Sequence, residues 1–515
     1  MAPPVKQPDK LRIGFIHPDL GIGGAERLVV DAAVSLQRRG HDVVMFTSRH
    51  DPKRCFEETR DGTLKVHVLG SSLPRSFHPK LPLTIVFSML KSLLLTFLLI
   101  MSLHWPEPAM FFNPLAPLNS FDVFVVDQQS VCVPFLRFIG GTRVVFYCHF
   151  PDKLLSGGWE IGIDKSGQQI ERKKGTEGIS LLKKIYRWPI DKLEEFTTGQ
   201  ADIVLSNSHF TSRIYARAFP RLAKRPPRVV YPCIDIEAYQ PFSKTGKGKS
   251  KLDHSVEIIS TDRPTLISFN RFEAKKNAAL AIRAFAQLKE DQLISVKEFD
   301  NLRLVLGGGY DKDELDNVQT LSSLQSLCDS LNLRYHTLAA PDSPVTPSNT
   351  QVLFILNFTV AQRTHLLTSP NTKALLYTPA NEHFGIVPIE AMSCGLPVLA
   401  ADSGGPTETI VDLSSGEEGT GLLRSPNPKD WSAALSFLLQ IQDEERGRVS
   451  KAARNRVESK FSLATLGEDM EKACRDAFGF GSIHETIGDI LIWGGAALIA
   501  VGAIGLATMI FILAE

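Results

Sequence analysis

The stretch Thr378–Glu408, TPANEHFGIVPIEAMSCGLPVLAADSGGPTE, limits the possible folds more than any other part of the chain. It reads as a short strand, a loop carrying Glu382, a glycine turn at Gly385 and a short helix carrying Glu390. Gly395 follows as a helix C-terminal cap, then Pro397 and a second strand, Val398–Ala401. A further turn, Gly404-Gly405-Pro406, closes a strand-helix-strand unit of the kind that builds α/β domains. Glu382 and Glu390 bracket the helix N-terminus, whose free N–H groups and positive dipole suit a diphosphate. A carboxylate in the first helical turn can accept hydrogen bonds from two sugar hydroxyls. The pattern fits the holding of a sugar nucleotide. The plainer alternative is a structural unit with two solvated glutamates.

At 515 residues the chain exceeds one ordinary hydrophobic core, so two large domains are expected. With 57 basic and 56 acidic residues it is nearly neutral, which argues against a dedicated nucleic-acid binder. Seven scattered cysteines (Cys55, Cys132, Cys148, Cys233, Cys328, Cys394, Cys474) form no CxxC and fit free thiols in a reducing compartment. No His/Cys cluster has ligand spacing and no DxD-like motif sits in a ligand loop, so no metal and no cofactor is expected. The sequon Asn357-Phe358-Thr359 falls in the apolar run Val352–Val360, which reads as a buried strand, and is taken as chance.

The first half opens with a strand, Leu11–His17, and the loop Gly21-Ile22-Gly23-Gly24-Ala25-Glu26-Arg27. A helix from about Ala25 to Arg39, ended by Gly40, and the strand Asp42–Thr47 follow. The loop is not GxGxxG and no acidic residue ends the second strand, which disfavours a nicotinamide-dinucleotide enzyme. Gly23 and Gly24 let backbone approach a ligand without a Cβ in the way; a tight strand-to-helix turn is the alternative. Val66–Leu69, Val123–Val126 and Val144–Cys148 extend one parallel sheet. His149, in Phe146-Tyr147-Cys148-His149-Phe150-Pro151-Asp152, falls at the C-terminal end of such a strand, where ligands bind in open α/β sheets. It is a candidate to bond a sugar hydroxyl or a diphosphate, or else a satisfied structural histidine. Ala201–Ser208 reads as a strand before a helix that Thr211 helps to cap. Between them, the polar, glycine-rich stretch 157–178 is expected to be a mobile insertion, either a lid or acceptor loop or simply solvated.

The second half begins near Val229-Val230-Tyr231-Pro232-Cys233-Ile234-Asp235, followed by a Lys, Ser and Thr-rich loop to Asp262. Strand Thr265–Asn270 leads into the basic loop Arg271-Phe272-Glu273-Ala274-Lys275-Lys276-Asn277. Arg271, as a fork, and Lys276, as a point charge, can clamp a diphosphate, with Lys275 as a competing neighbour. Strand Leu302–Leu306 and Gly307-Gly308-Gly309 repeat the strand-glycine pattern.

Two segments suit a membrane. Ile490–Ala514 is 25 uncharged residues, and a helix of that length spans roughly 37 Å against a bilayer core of about 30 Å. With Lys460, Lys472 and Arg475 upstream it is expected to be a tail anchor on a cytosolic body. The polar, proline-rich start, MAPPVKQPDK, has no apolar signal-peptide core. Leu81–Leu103 is long enough to span, but strands of one sheet lie on both sides of it. It is therefore expected to lie in the membrane face, with an ordinary helix packed on the sheet as the alternative.

The Glu382-to-Glu390 segment resembles the Glu-x7-Glu signature of the retaining GT-B glycosyltransferases, the large family of sucrose synthases and mannosyltransferases. The Gly23-Gly24-Ala25-Glu26-Arg27 loop resembles that family's donor-phosphate loop, Arg271 and Lys276 its paired basic residues, and Val229–Asp235 its inter-domain motif. The resemblance runs in order from about residue 11 to 475. It implies an α/β fold of GT-B type, two Rossmann-like domains facing a cleft, with a C-terminal transmembrane helix. The expected organisation is a tail, 1–10; an acceptor domain, 11–228, with a membrane-associated element at 81–103; a donor domain, 229–475; and a transmembrane helix, 490–514. The membrane segments, the His149-Phe150-Pro151-Asp152 stretch and the Ser206-Asn207-Ser208-His209-Phe210-Thr211 stretch are most similar to the α-1,3/α-1,6-mannosyltransferases of dolichol-linked oligosaccharide assembly.

That resemblance implies GDP-mannose as donor and a mannosyl-chitobiosyl diphosphate lipid as acceptor, at the cytosolic face of the endoplasmic reticulum. It allows other mannosyltransferases of the pathway as partners beside the lipid bilayer, and no nucleic acid. It assigns catalysis to Glu382, His149, Arg271 and Lys276, and donor binding to Gly23, Gly24, Arg271, Lys276, Glu382, Phe384, Gly385 and Glu390. Glu382 would position the donor hexose and Glu390 the nucleoside ribose. Three other readings stay open: a lipid glycosyltransferase with another donor such as UDP-N-acetylglucosamine, a GT-B-fold epimerase, and a non-catalytic glycosyltransferase scaffold.

Overall fold

The protein is seen in a computed structural model that describes residues 8–71, 73, 84–104, 120–156, 159–163, 169–173, 181–239, 254–339, 346–415, 418–483, 492 and 495. The central strands of its two large sheets are short apolar runs without polar alternation, the pattern of sheets covered on both faces. They fall into two compact units. One comprises Met1–Glu160, Glu171–Cys233 and Leu463–Glu515, and the other Ile161–Ile170 with Ile234–Ser462.

In the first unit β1 (Arg12–His17), β2 (Asp42–Thr47), β3 (Lys65–Val68), β4 (Val123–Asp127) and β5 (Arg143–Cys148) join one sheet. The pair β6 (Trp159–Ile163) and β7 (Gln169–Lys173) makes a separate two-stranded sheet. These strands occupy part of the expected mobile insertion 157–178; its other residues lie outside the described ones. With β8 (Ile203–Ser206) and β9 (Arg228–Val229) the main sheet runs β3-β2-β1-β4-β5-β8-β9, every pair parallel. The order reverses direction between β1 and β4. Ligands of open α/β sheets bind beyond the carboxyl ends of strands at such a switch point.

The second unit repeats the plan with β10 (Thr265–Phe269), β11 (Arg303–Gly308), β12 (Tyr335–Leu338), β13 (Val352–Leu356), β14 (Thr372–Tyr377), β15 (Val398–Ala401) and β16 (Gly421–Arg424). The order is β12-β13-β11-β10-β14-β15-β16, again all parallel, with its switch point between β10 and β14.

Several expectations are corrected. Ser208, not Thr211, caps the helix after β8 by accepting the Thr211 N–H. Asn357 is not inside a buried strand: β13 ends at Leu356, Asn357 is exposed, and its amide pairs twice with the Tyr310 backbone at 2.8 Å. The units part at Cys233/Ile234 rather than at 228/229. The helix Leu463–Gly479, assigned by sequence to the second domain, returns to the first unit. There its Leu466, Met470 and Cys474 share a core with Leu28, Val29 and Leu36 of the Gly24–Arg38 helix, which buries the apolar face of an amphipathic helix.

The segment 81–103 contributes a helix, Thr84–His104. Among the described residues it is the one helix long and apolar enough to cross a membrane, with a mean hydropathy of 2.1. Its Leu95 and Leu99 are buried in a core with Phe124 and Val144, so one face packs on the sheet as a domain helix does, while Phe97 is exposed. The expected transmembrane helix 490–514 lies outside the described residues, apart from Ile492 and Gly495.

Candidate active site

Strands β10 and β14 release their chains side by side at the second switch point, and the two loops carry the charged groups. The loop after β10 holds Arg271 and the 3-10 turn Ala274–Lys276, and Asn277 closes it at φ 50°. The loop after β14 is tied to it where Thr378 Oγ1 donates to the Lys276 carbonyl at 2.7 Å. Lys276 then points across the gap and pairs with Glu382, Nζ to Oε1 2.5 Å. Lys276 is 17% exposed, whereas Lys275 is 68% exposed and turns to Glu273 at 3.1 Å. Of the two neighbouring lysines, Lys276 is therefore the one at the switch point. Arg271 is 67% exposed and lies 3.6 Å from Glu273. A cation and an anion side by side can meet a phosphate oxygen and a sugar hydroxyl at adjacent points.

The Glu382 loop is held by glycine geometry. Gly404 has φ +70°, and a Cβ there would lie 2.5 Å from the Glu382 carbonyl oxygen. Gly405 N–H donates to that same carbonyl at 2.8 Å, and Asn381 N–H donates to Ser403 Oγ at 3.0 Å. Gly385 at φ +88° is the turn that starts the Ile386–Ser393 helix, and a Cβ there would lie 3.0 Å from the Tyr377 ring. Phe384 is buried and packs edge-on to Phe461, so its side chain shapes the loop from beneath.

Glu390 is the fifth residue of that helix, one turn deeper than the expected first-turn carboxylate, because the helix opens at Ile386. Its side chain is buried. It accepts from Tyr239 Oη at 2.6 Å and from Arg363 Nη1 at 3.0 Å, and Arg363 also reaches Tyr239 Oη at 3.1 Å. Burial raises the Glu390 carboxyl above its ordinary range, against the pull of Arg363 and the Tyr239 hydrogen bond. Tyr239 and Arg363 went unseen in the sequence; no local pattern marks residues so distant along the chain as partners.

In the first unit, the switch point gathers His17 from the end of β1, Asp127 from the end of β4 and His149 from just beyond β5. His17 Nδ1 lies 2.6 Å from Asp127 Oδ1, and His149 Nε2 is hydrogen-bonded to Asp127 Oδ2. Burial alone would lower the His17 pKa, but the Asp127 charge and hydrogen bond, helped by Glu26, raise it to about 10. Burial would likewise raise Asp127, and His17 and His149 outweigh that and hold it at about 2. The rule that marked His149, a polar residue at the end of a parallel strand, marks His17 and Asp127 equally well.

The glycine loop lies nearby in sequence to β1. Gly23 is extended and adjoins the Glu26 carboxylate, which faces His17 Nε2 at 3.9 Å, and a Cβ at Gly24 would meet nothing within 4 Å. Gly24 thus leaves open backbone at the helix start. Arg27 is turned inward to Asp31 and Glu58. Among the described residues no group of three or more His, Cys, Asp or Glu side chains is arranged to hold a metal ion.

A family model described as glycosyl transferases group 1 matches residues 348–456, and one described as Glycosyltransferase Family 4 matches residues 22–238. The chain is 42% identical over 467 residues to the α-1,3/1,6-mannosyltransferase ALG2 of Rhizomucor pusillus, with 90% of each chain covered. It is 37% identical to the α-1,3/1,6-mannosyltransferase ALG2 of Saccharomyces cerevisiae, covering 90% of this chain and 84% of that one. Among solved structures, sucrose-phosphate synthase from Thermosynechococcus elongatus is similar with a TM-score of 0.60 at 18% identity, covering 92% of this chain and 100% of that one. HepE of Anabaena in complex with UDP and glucose follows at 0.55 and 16% identity, covering 90% and 98%. At such identities the solved structures speak to fold alone: two parallel-sheet Rossmann-like domains of the GT-B type.

Proposed function

The chain belongs to the α-1,3/1,6-mannosyltransferase family, and from that premise we propose that GDP-mannose is its donor and mannosyl-chitobiosyl diphosphate dolichol its acceptor. It adds an α-1,3 and then an α-1,6 mannose, with retention at the anomeric carbon, at the cytosolic face of the endoplasmic reticulum membrane. The observation that carries the donor assignment to this site is the Lys276–Glu382 pair at the switch point of the second sheet, beside the start of the Ile386–Ser393 helix.

In this reading Lys276 and Arg271 meet the charge that grows on the leaving diphosphate, and the N–H groups at the helix start add fixed dipoles. Glu382 accepts hydrogen bonds from the hexose and Glu390 from the ribose. The bond between the anomeric carbon and the diphosphate oxygen breaks. The acceptor oxygen bonds to that carbon on the same face and gives its proton to the departing phosphate. The products are the mannosylated lipid and GDP. No metal is required, because the cations of the site and the helix terminus supply the positive charge. Within the first unit, Gly23, Gly24 and His149 are the candidate substrate contacts.

A donor panel tests this reading. With the purified chain in detergent and the lipid acceptor, GDP-mannose should give product at least about 100-fold faster than UDP-N-acetylglucosamine, because base and sugar contacts each discriminate by a few kcal/mol. Equal rates, or a preference for the uridine donor, would overturn it.

A further inference from the structure

Of the His17–Asp127–His149 chain, only His149 has a role above. Asp127 is 1% exposed, yet it takes a histidine on each oxygen. An ionised carboxylate only accepts hydrogen bonds, so both histidine nitrogens that face it must carry protons. For His149 this fixes Nε2 as the donor and leaves Nδ1 as the other ring nitrogen. Nδ1 has no partner among the described residues, and the ring is 20% exposed. The imidazole is held from other sides as well. Its ring lies 4.9 Å from the Tyr147 ring, and its backbone carbonyl accepts from Asn207 Nδ2 at 3.1 Å.

The carboxylate itself is pinned. Gln128, the next residue, adopts φ +60°, a region that non-glycine residues enter at a cost, and Gln129 N–H donates to the Asp127 carbonyl at 2.7 Å. His17 is buried at 1%, and its Nε2 has no hydrogen-bond partner, with Glu26 the nearest charge at 3.9 Å. A buried cation whose second N–H meets only the distant Glu26 charge is costly in a core whose only task is packing. Its evident work is to keep Asp127 ionised.

We propose that Asp127 and His17 are positioning residues for His149: together they hold it in the Nε2–H form and turn Nδ1 outward as the acceptor for a substrate sugar hydroxyl. This rests on the reading of His149 as a substrate contact. The tautomer of a histidine is set by the bond its other nitrogen makes. Without Asp127 nothing fixes the proton on Nε2, and a proton on Nδ1 opposes a hydroxyl donor instead of accepting from it.

The test is a double-mutant cycle on the full chain, with kcat and KM measured for GDP-mannose and for the lipid acceptor. His149→Ala and Asp127→Asn should each lower kcat by about 10- to 100-fold, the worth of one buried hydrogen bond, with smaller changes in either KM. The double variant should be no worse than His149→Ala alone within about threefold, because residues that act through one another are not additive. If the losses multiply instead, Asp127 acts on folding or elsewhere, and the positioning role is overturned. If His149→Ala keeps full activity while Asp127→Asn does not, the substrate-contact reading fails, and the positioning role falls with it. Should Asp127→Asn not fold, His17→Asn serves the same cycle. Its amide Nδ2 keeps a donor where Nδ1 stood but removes the cation, so a smaller, equally non-additive loss is expected; a multiplicative loss overturns the proposal.

Discussion

Lys276→Ala should lower turnover by about 100- to 1,000-fold, the usual effect of removing one fixed group that meets charge in a transition state. The residue is 17% exposed and its Nζ lies 2.5 Å from Glu382, so it is held where a cation is needed rather than sweeping through solvent. Its loss should leave the fold intact. The Lys276–Glu382 pair is open to water at one side, and pairs of that kind contribute about 1 kcal/mol or less. Arg271→Ala should do less harm, because Arg271 is 67% exposed and shares its charge with Glu273 at 3.6 Å. Glu382→Ala should resemble Lys276→Ala in turnover. Steady-state rates at saturating donor, with melting curves on the same preparations, decide this. A folded Lys276→Ala protein with full turnover would remove Lys276 from the chemistry and pass the role to Lys275.

Glu390→Ala should cost about 3 kcal/mol of stability, the scale set by breaking a buried ion pair from one side. The loss would strand the Arg363 guanidinium and the Tyr239 hydroxyl, which now meet at Glu390 Oε1. Glu390→Gln keeps the shape and an acceptor for Tyr239, so it should recover much of that stability. Both variants should raise the KM for GDP-mannose more than they lower kcat, because a ribose contact far from the reacting carbon binds ground state and transition state alike. Urea unfolding curves and donor kinetics measure the two effects separately. A KM unchanged in a folded Glu390→Gln protein would make Glu390 a structural residue that ties Tyr239 and the Arg363 helix to the Ile386–Ser393 helix.

The turn, helix, turn and closing strand of 378–408 were legible because their signals are local, but the strand expected to open the segment at Thr378 is β14, which ends one residue earlier at Tyr377. Gly385, Gly395 and Gly404 each sit at positive φ where a turn or cap needs them, and β15 occupies Val398–Ala401 as expected. The depth of Glu390 was not legible to one turn, since that depends on whether the helix opens before or after Gly385. The partners of Glu390 were not legible at all. Tyr239 reaches it from the start of the second unit and Arg363 from the helix after β13, and only the folded sheet brings them together. The same holds for the Leu463–Gly479 helix, whose amphipathic face was readable while the choice of sheet to cover was not. His17 and Asp127 lay between these cases. Their places at strand ends were visible, but the sharing of one carboxylate by two histidines follows from β1 and β4 being neighbours across the switch point.

The central claim is that this chain, by itself, transfers mannose twice to a lipid-linked acceptor. The direct measurement is mass spectrometry of the lipid product after the purified protein, in detergent or liposomes, has been incubated with mannosyl-chitobiosyl diphosphate lipid and GDP-mannose alone. The account predicts a gain of two hexoses, released in turn by linkage-specific α-mannosidases. No gain from folded protein, or a single hexose that never proceeds to the second, would contradict it.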